Sequence, residues 1–208
     1  MDISLFSKAF TSTYIFLSKE GGTILLDCGD GALREMLRKD IAPPSAVIIS
    51  HDHPDHTGGL LSLLAYLKIG HIYPAVYAPE GSASVKMTER FFLRRYGKPF
   101  FRFSYLKAER TMRIKGGCIR THRADHAGFE YGMNALCYEI RFQKKSIFYS
   151  GDTAYFNGLC GYARNKDIAI IEATFKDPGA EMPVHMTEKQ ARAVGKNAKK
   201  CILIHKGR

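Results

Sequence analysis

At 208 residues, 45% of them hydrophobic, the chain has the size and composition of one globular domain, residues 1–208, with a substantial core. No apolar run reaches the roughly 18 residues that span a bilayer. Met1-Asp2-Ile3-Ser4 lacks the basic-then-apolar pattern of a signal peptide. The five cysteines (28, 118, 137, 160 and 201) are odd in number, dispersed and without a Cys-x-x-Cys pair. This argues against a disulfide framework and leads us to expect a reducing, cytoplasmic compartment, with the thiols as small buried residues. The formal charge of +11 attracts polyanions and speeds encounter with phosphate-bearing substrates, but does not choose between RNA and a small phosphodiester.

In chain order, Tyr14-Ile15-Phe16-Leu17 and Thr23-Ile24-Leu25-Leu26 read as two strands joined by a turn at Glu20-Gly21-Gly22, with Asp27 at the end of the second. A short helix over 32–39 carries Leu33, Met36 and Leu37 on one face, and Pro43-Pro44 breaks the chain before the buried strand Ala46-Val47-Ile48-Ile49. Then comes Ser50-His51-Asp52-His53-Pro54-Asp55-His56-Thr57-Gly58-Gly59, which packs three imidazoles and two carboxylates into six residues. Leu60, Leu61, Leu63, Leu64 and Leu67 follow at helical spacing. The histidines therefore sit on a strand-to-helix turn, where side chains can converge, and imidazole with carboxylate suits zinc, iron or manganese.

Beyond it, Val76 to Pro79 reads as a strand end, 82–96 as a helix and Phe100, Phe101, Phe103 and Tyr105 as part of a strand. Aromatics interleaved with Arg90, Arg94 and Arg95 are one format of a nucleic-acid surface. The pattern is equally that of an amphipathic helix with a solvated basic face, the reading preferred here. Cys118-Ile119-Arg120 is a strand leading to His122 or His126, and 135–140 is the next strand. Ser146 to Ser150 is an alternating strand ending in Gly151-Asp152-Thr153, and Ile168 to Ile171 is a continuous apolar strand ending at Glu172. Thr187 and Gln190 have capping-box spacing ahead of a helix whose inner face is Ala191, Val194 and Ala198. Cys201 to Ile204 is the last strand, with His205 at its end. His71 is read as an ordinary surface or packing residue.

His51-Asp52-His53-Pro54-Asp55-His56 matches the His-x-His-x-Asp-His signature of the metallo-β-lactamase superfamily, and Asp27-Cys28-Gly29-Asp30-Gly31 resembles the Asp-Cys-Gly-Glu-Gly of its ribonuclease Z branch. The resemblance covers nearly the whole chain. It implies an α/β fold, a four-layer αβ/βα sandwich, and two divalent metal ions. Zinc is the default, with manganese or iron as alternatives. It assigns His51, His53 and His126 to the first ion, Asp55, His56 and His205 to the second, and Asp152 as the bridge. His126 is preferred over His122 because the family's histidine follows its strand by several residues. The interval from Ala127 to Asn134 is longer than usual, and Cys137 stands where Gly is usual.

The resemblance further implies a hydrolase whose nucleophile is a metal-bridging hydroxide, which Asp55 orients or deprotonates. A phosphodiester also needs a proton for its departing oxygen. The Glu-Ala-Thr at Glu172 and the His-x-Thr at His185 match the branch's motifs and imply a donor pair in which the carboxylate orients the imidazole. Two features depart from the branch. The Gly/Pro-rich arm that grips tRNA is absent, and Pro54 stands where Gly is usual. The expected partner is thus a phosphodiester, small molecule or nucleic acid, with no membrane and a homodimer as the assembly to test. Hydrolysis of a lactone or thioester and iron-based redox chemistry are the alternatives on the same ligands.

Overall fold

The structure, a computed structural model, describes residues 1–126, 134–176 and 184–207. The chain divides into two compact units, one of Met1–Ser7 and Thr11–Leu106, the other of Lys8–Phe10 and Lys107–Arg208.

The first unit is a six-stranded sheet in sequential order, β1 (Asp2–Lys8), β2 (Ser12–Lys19), β3 (Gly22–Cys28), β4 (Pro44–Ile48), β5 (Ala75–Pro79) and β6 (Arg102–Leu106). β2 and β3 are antiparallel, with Phe16 opposite Leu25, and β3 to β6 run parallel. Parallel neighbours require crossovers, which helices supply. These are α1 (Ala32–Arg38), the pair α2 (Pro54–Thr57) and α3 (Leu60–Ile69), and α4 (Ala83–Tyr96). Phe16, Leu25, Val47 and Val76 pack with Leu60, Leu63, Leu64, Leu67 and Phe92 in one cluster. Ile15, Leu17, Ile24, Leu26 and Ile48, which alternate with them, are buried too. Burial on both faces is why these strands read as unbroken apolar runs.

The second unit has a six-stranded sheet in the order β12-β11-β10-β9-β8-β7. β7 (Thr111–Ile114), β8 (Gly117–Arg123), β9 (Leu136–Phe142) and β10 (Lys145–Tyr149) form an antiparallel meander; β11 (Ile168–Glu172) and β12 (Cys201–Ile204) then add in parallel. The crossovers contain α5 (Gly158–Ala163) and α6 (Glu188–Gly195). Cys137, Phe148, Leu159, Ala169, Ile171, Ala191 and Val194 share one core cluster, which Ala198, just beyond α6, joins at its edge. α6 begins with the predicted capping box, Thr187 and Gln190 satisfying each other's backbone N–H. Such a cap contributes about 0.5–2 kcal/mol.

Several elements differ from the sequence reading. β1 and β7 are weakly patterned, half-exposed strands that periodicity does not reveal. The histidine motif itself winds a turn of helix, α2, with Pro54 at its first position, where a missing N–H costs nothing. On α1, Ala32 and Met36 are buried, whereas Leu37 is 51% exposed. On α4, Val85, Thr88 and Phe92 face inward and the arginines are exposed, the amphipathic pattern preferred above. All five cysteines are free thiols, but only Cys28 and Cys137 are buried; Cys118 and Cys160 are partly exposed and Cys201 is exposed. Among the described residues, no helix is long and apolar enough to cross a membrane.

Candidate metal-binding residues

In the first unit the donors are built around Asp27. This residue is next to last in β3, has a positive φ of 51° and is fully buried. Its carboxylate accepts from Ser50 N (2.6 Å), Ser50 Oγ (2.7 Å) and His56 Nδ1 (2.6 Å). The bond to Asp27 places the His56 proton on Nδ1, which leaves Nε2 as the nitrogen able to bind an ion; it lies 3.6 Å from Asp55 Oδ2. The Ser50 hydroxyl has given its proton to Asp27, so its oxygen accepts from His51 Nδ1 at 2.9 Å. His51 Nε2 then faces His53 Nδ1, also at 2.9 Å. The His51 ring is 4.7 Å from that of His53 and 4.1 Å from that of His56. Hydrogen bonds that fix ring orientation and tautomer in this way are the usual support of a metal-ligating imidazole. Asp52, the other carboxylate of the motif, has a different task. It caps α4, accepting from Ser82 Oγ, Ala83 N and Ser84 N.

Two glycines let the motifs meet. A Cβ on Gly29 would lie 2.2 Å from Asp55 O, and a Cβ on Gly59 would lie 2.3 Å from Gly29 O. Real Cβ atoms essentially never come so close to backbone, so both positions require glycine. Gly59 N also donates to Cys28 O at 2.8 Å.

In the second unit the donors stand at strand ends, the usual place for ligand sites in α/β sheets. Asp152 follows β10, Glu172 ends β11 and His205 follows β12. Glu172 is completely buried and accepts from Thr153 N, Thr174 N, Thr174 Oγ1, Met186 N and His185 Nδ1, the last at 3.0 Å. Because the Thr174 hydroxyl donates to Glu172, its oxygen accepts from His205 Nδ1 at 2.9 Å. His205 Nε2 is thereby turned, as an acceptor, towards Asp152 Oδ2, another acceptor, at 3.2 Å. A cation between the two, a metal ion or a proton, satisfies both, so the donor set fits the expected ions. Ligand atoms of Asp152, His185 and His205 all lie within 4.8 Å of one another. His126 donates from Nδ1 to Val184 O at 2.8 Å, and its ring is 4.9 Å from that of His185.

His122 is elsewhere. It lies within β8, its Nδ1 is 3.0 Å from Glu109 and its Nε2 2.7 Å from Glu139, and Tyr162 stacks on the ring at 3.8 Å. Both nitrogens are engaged by carboxylates, so this histidine is part of the packing. The long interval noted after His126 falls mostly on 127–133, outside the described residues.

The structure thus brings His51, His53, Asp55 and His56 together in one unit, and His126, Asp152, Glu172, His185 and His205 in the other. Sequence reasoning gave no role to Asp27, Ser50 or Thr174, which orient these donors. An acid ending an apolar strand was the available signal for Asp27.

The β-lactamase superfamily domain matches residues 23–205, a span that includes every one of these donors. The chain belongs to the β-lactamase superfamily. Among its curated relatives in that superfamily, ribonuclease Z 1 of Schizosaccharomyces pombe is 28% identical over 221 residues, covering 88% of this chain. The chain spans only 26% of that protein's length. Ribonuclease Z of Gemmatimonas aurantiaca is 24% identical over 246 residues, covering 92% of this chain and 78% of the relative. The crystal structure of YhfI, a metallo-β-lactamase fold protein from Bacillus subtilis, superposes with a TM-score of 0.81 at 18% identity over 99% of this chain and 86% of YhfI. The two mixed sheets with their crossover helices are therefore those of the metallo-β-lactamase fold.

Proposed function

We propose that this member of the superfamily is a metal-dependent phosphodiesterase of ribonuclease Z type. The observation that carries the reading is the Glu172–His185 pair. The pair matches motifs of the ribonuclease Z branch, and the poor alkoxide leaving group of a phosphodiester is one that a general acid helps to expel. Glu172, held by four further hydrogen bonds, keeps the His185 imidazole in one orientation with its Nδ1 proton committed to the carboxylate. His185 Nε2 is then the atom that holds and delivers a proton to the leaving oxygen. The curated relatives named ribonuclease Z and the charge of +11 support a polyanionic substrate, RNA or a smaller diester.

In this reading His51, His53 and His126 would hold one ion, Asp55, His56 and His205 a second, and Asp152 would serve both; zinc suits donors that are all imidazole and carboxylate. Bound there, two divalent ions supply a nucleophile at neutral pH and neutralise charge on the phosphoryl oxygens. Asp55, at the rim of the first unit's donors, orients the attacking water. Asp27, Ser50 and Thr174 keep the ligating rings in their working tautomers.

The test is leaving-group dependence. His185→Ala should retain both ions yet lose about 10²–10⁴-fold on a nucleotide diester, the usual worth of general acid catalysis. On bis-p-nitrophenyl phosphate, whose leaving group needs little protonation, the loss should be far smaller. Equal losses on the two substrates would remove His185 as proton donor and, with it, the main support for a phosphodiester.

A further inference from the structure

Phe10 lies in the turn between β1 and β2 with φ at 59°, and 67% of its surface is exposed. A bulky side chain in the left-handed region is a genuine outlier, one that persists only where the surroundings impose it. Here they do. Lys8 forms a parallel bridge with Lys206, and Ala9 N donates to Lys206 O at 3.4 Å, so the turn is fastened to the residue after His205. The Phe10 ring consequently stands 5.9 Å from the ring of His185 at 88° and 6.0 Å from that of His205 at 68°.

Isolated exposed apolar side chains are ordinary on a protein surface. Phe91, for example, is 45% exposed on the regular helix α4. Phe10 differs because a disfavoured backbone holds a largely uncovered ring against two imidazoles of the candidate centre. Phe175 also approaches His185, at 6.0 Å, but it is partly buried and its backbone pairs with Thr187, which makes it packing.

We propose that Phe10 is a stacking platform for the nucleobase of the departing nucleoside, so that the substrate is a nucleotidic phosphodiester. The proposal rests on the reading of His185 as proton donor. In a nucleotidic diester the leaving oxygen that comes within hydrogen-bond reach of His185 is a sugar oxygen. That sugar carries its base a few ångströms from the oxygen, the interval that separates Phe10 from His185. Stacking on an aromatic ring accepts any base, since each has a π-face, so the platform selects nucleosides without selecting among them.

The experiment compares ligands that differ only in the base. Adenosine 5′-monophosphate and ribose 5-phosphate are titrated calorimetrically into the metal-loaded protein, and the corresponding methyl diesters are assayed for turnover. The base should improve binding by about 5- to 150-fold, the equivalent of one stacking contact. Phe10→Ala should abolish that preference and Phe10→Trp should restore it, while Met87→Ala, at an exposed position of α4, should leave it alone. No preference in the wild type, or a preference that survives in Phe10→Ala, would overturn the proposal. If neither diester is hydrolysed but the binding preference still depends on Phe10, the hydrolytic reading falls and the platform stands.

Discussion

Replacing Asp27 with Asn tests whether the donors are held by the shell behind them. The wild-type carboxylate lies at zero exposure and accepts three hydrogen bonds of 2.6–2.7 Å, two of them on Oδ2, from Ser50 Oγ and His56 Nδ1. Asparagine keeps the shape but offers only one acceptor oxygen. Whichever way the amide turns, an NH₂ meets at least one N–H or O–H donor. Hydrogen bonds to a charged group are each worth about 1.5–3 kcal/mol, and breaking a buried pair costs about 3–5 kcal/mol. The expected loss is therefore about 3–5 kcal/mol, a large share of the roughly 5–15 kcal/mol that holds a domain together. For a chain of this size it lowers the melting temperature by about 6–20 °C. Melting is measured in chelator, because bound metal adds its own stabilisation. In a separate zinc competition titration, the released His56 ring should weaken affinity about 10- to 100-fold. A variant that melts within a degree of wild type and binds zinc with native affinity would refute the claim that Asp27 sets the orientation of His56.

Other outcomes follow from the same contacts. Asp152→Ala should lose at least one ion per chain by elemental analysis, and with it nearly all hydrolysis; two ions and full activity would strike it from the ligand set. His126→Ala should lower metal stoichiometry, whereas His122→Ala should keep it and instead lose about 1.5–3 kcal/mol of stability, the worth of a hydrogen bond to a charged group. The reverse pattern would exchange their roles. For Glu139, burial works to raise the carboxyl, but hydrogen bonds from Lys166 and His122 outweigh it and hold the group below the ordinary glutamate value. A depressed folded-state value stabilises the fold above the unfolded pKa of about 4.3, and that contribution fades as pH falls through the folded value. The difference in urea midpoint between wild type and Glu139→Gln should therefore be constant above about pH 5 and shrink on further acidification. A difference that widens in acid would contradict the assignment.

The histidine motif was legible because its chemistry is local: three imidazoles on one strand-to-helix turn have few other uses. The ends of β10, β11 and β12 were legible too: the buried run of β11 stops at Glu172, and the apolar residues of β10 and β12 give way just ahead of Asp152 and His205. What escaped depends on distance in sequence. Asp27 reaches His56 across 29 positions, and His126 bonds Val184 across 58, so no spacing rule connects them. His122 and His126 were separable only through the family resemblance, because the carboxylates that engage His122 are 13 and 17 residues away. β1 and β7 escaped because half-exposed strands carry little periodic signal, and Leu37 was misplaced because a seven-residue helix gives its face only two turns to declare itself.

The contact between Gly29 and Gly59 limits how this scaffold can be re-engineered. The Asp27–Gly31 turn and the His51–Gly59 loop touch backbone to backbone, with no side chain between them to absorb a misfit. Asp27 ties the same two segments together from the other direction. A histidine loop grafted from another member of the superfamily would arrive with its ligands intact and still seat badly, unless the turn it rests on were transplanted with it. The smallest exchangeable cassette is therefore the pair of loops, discontinuous in sequence.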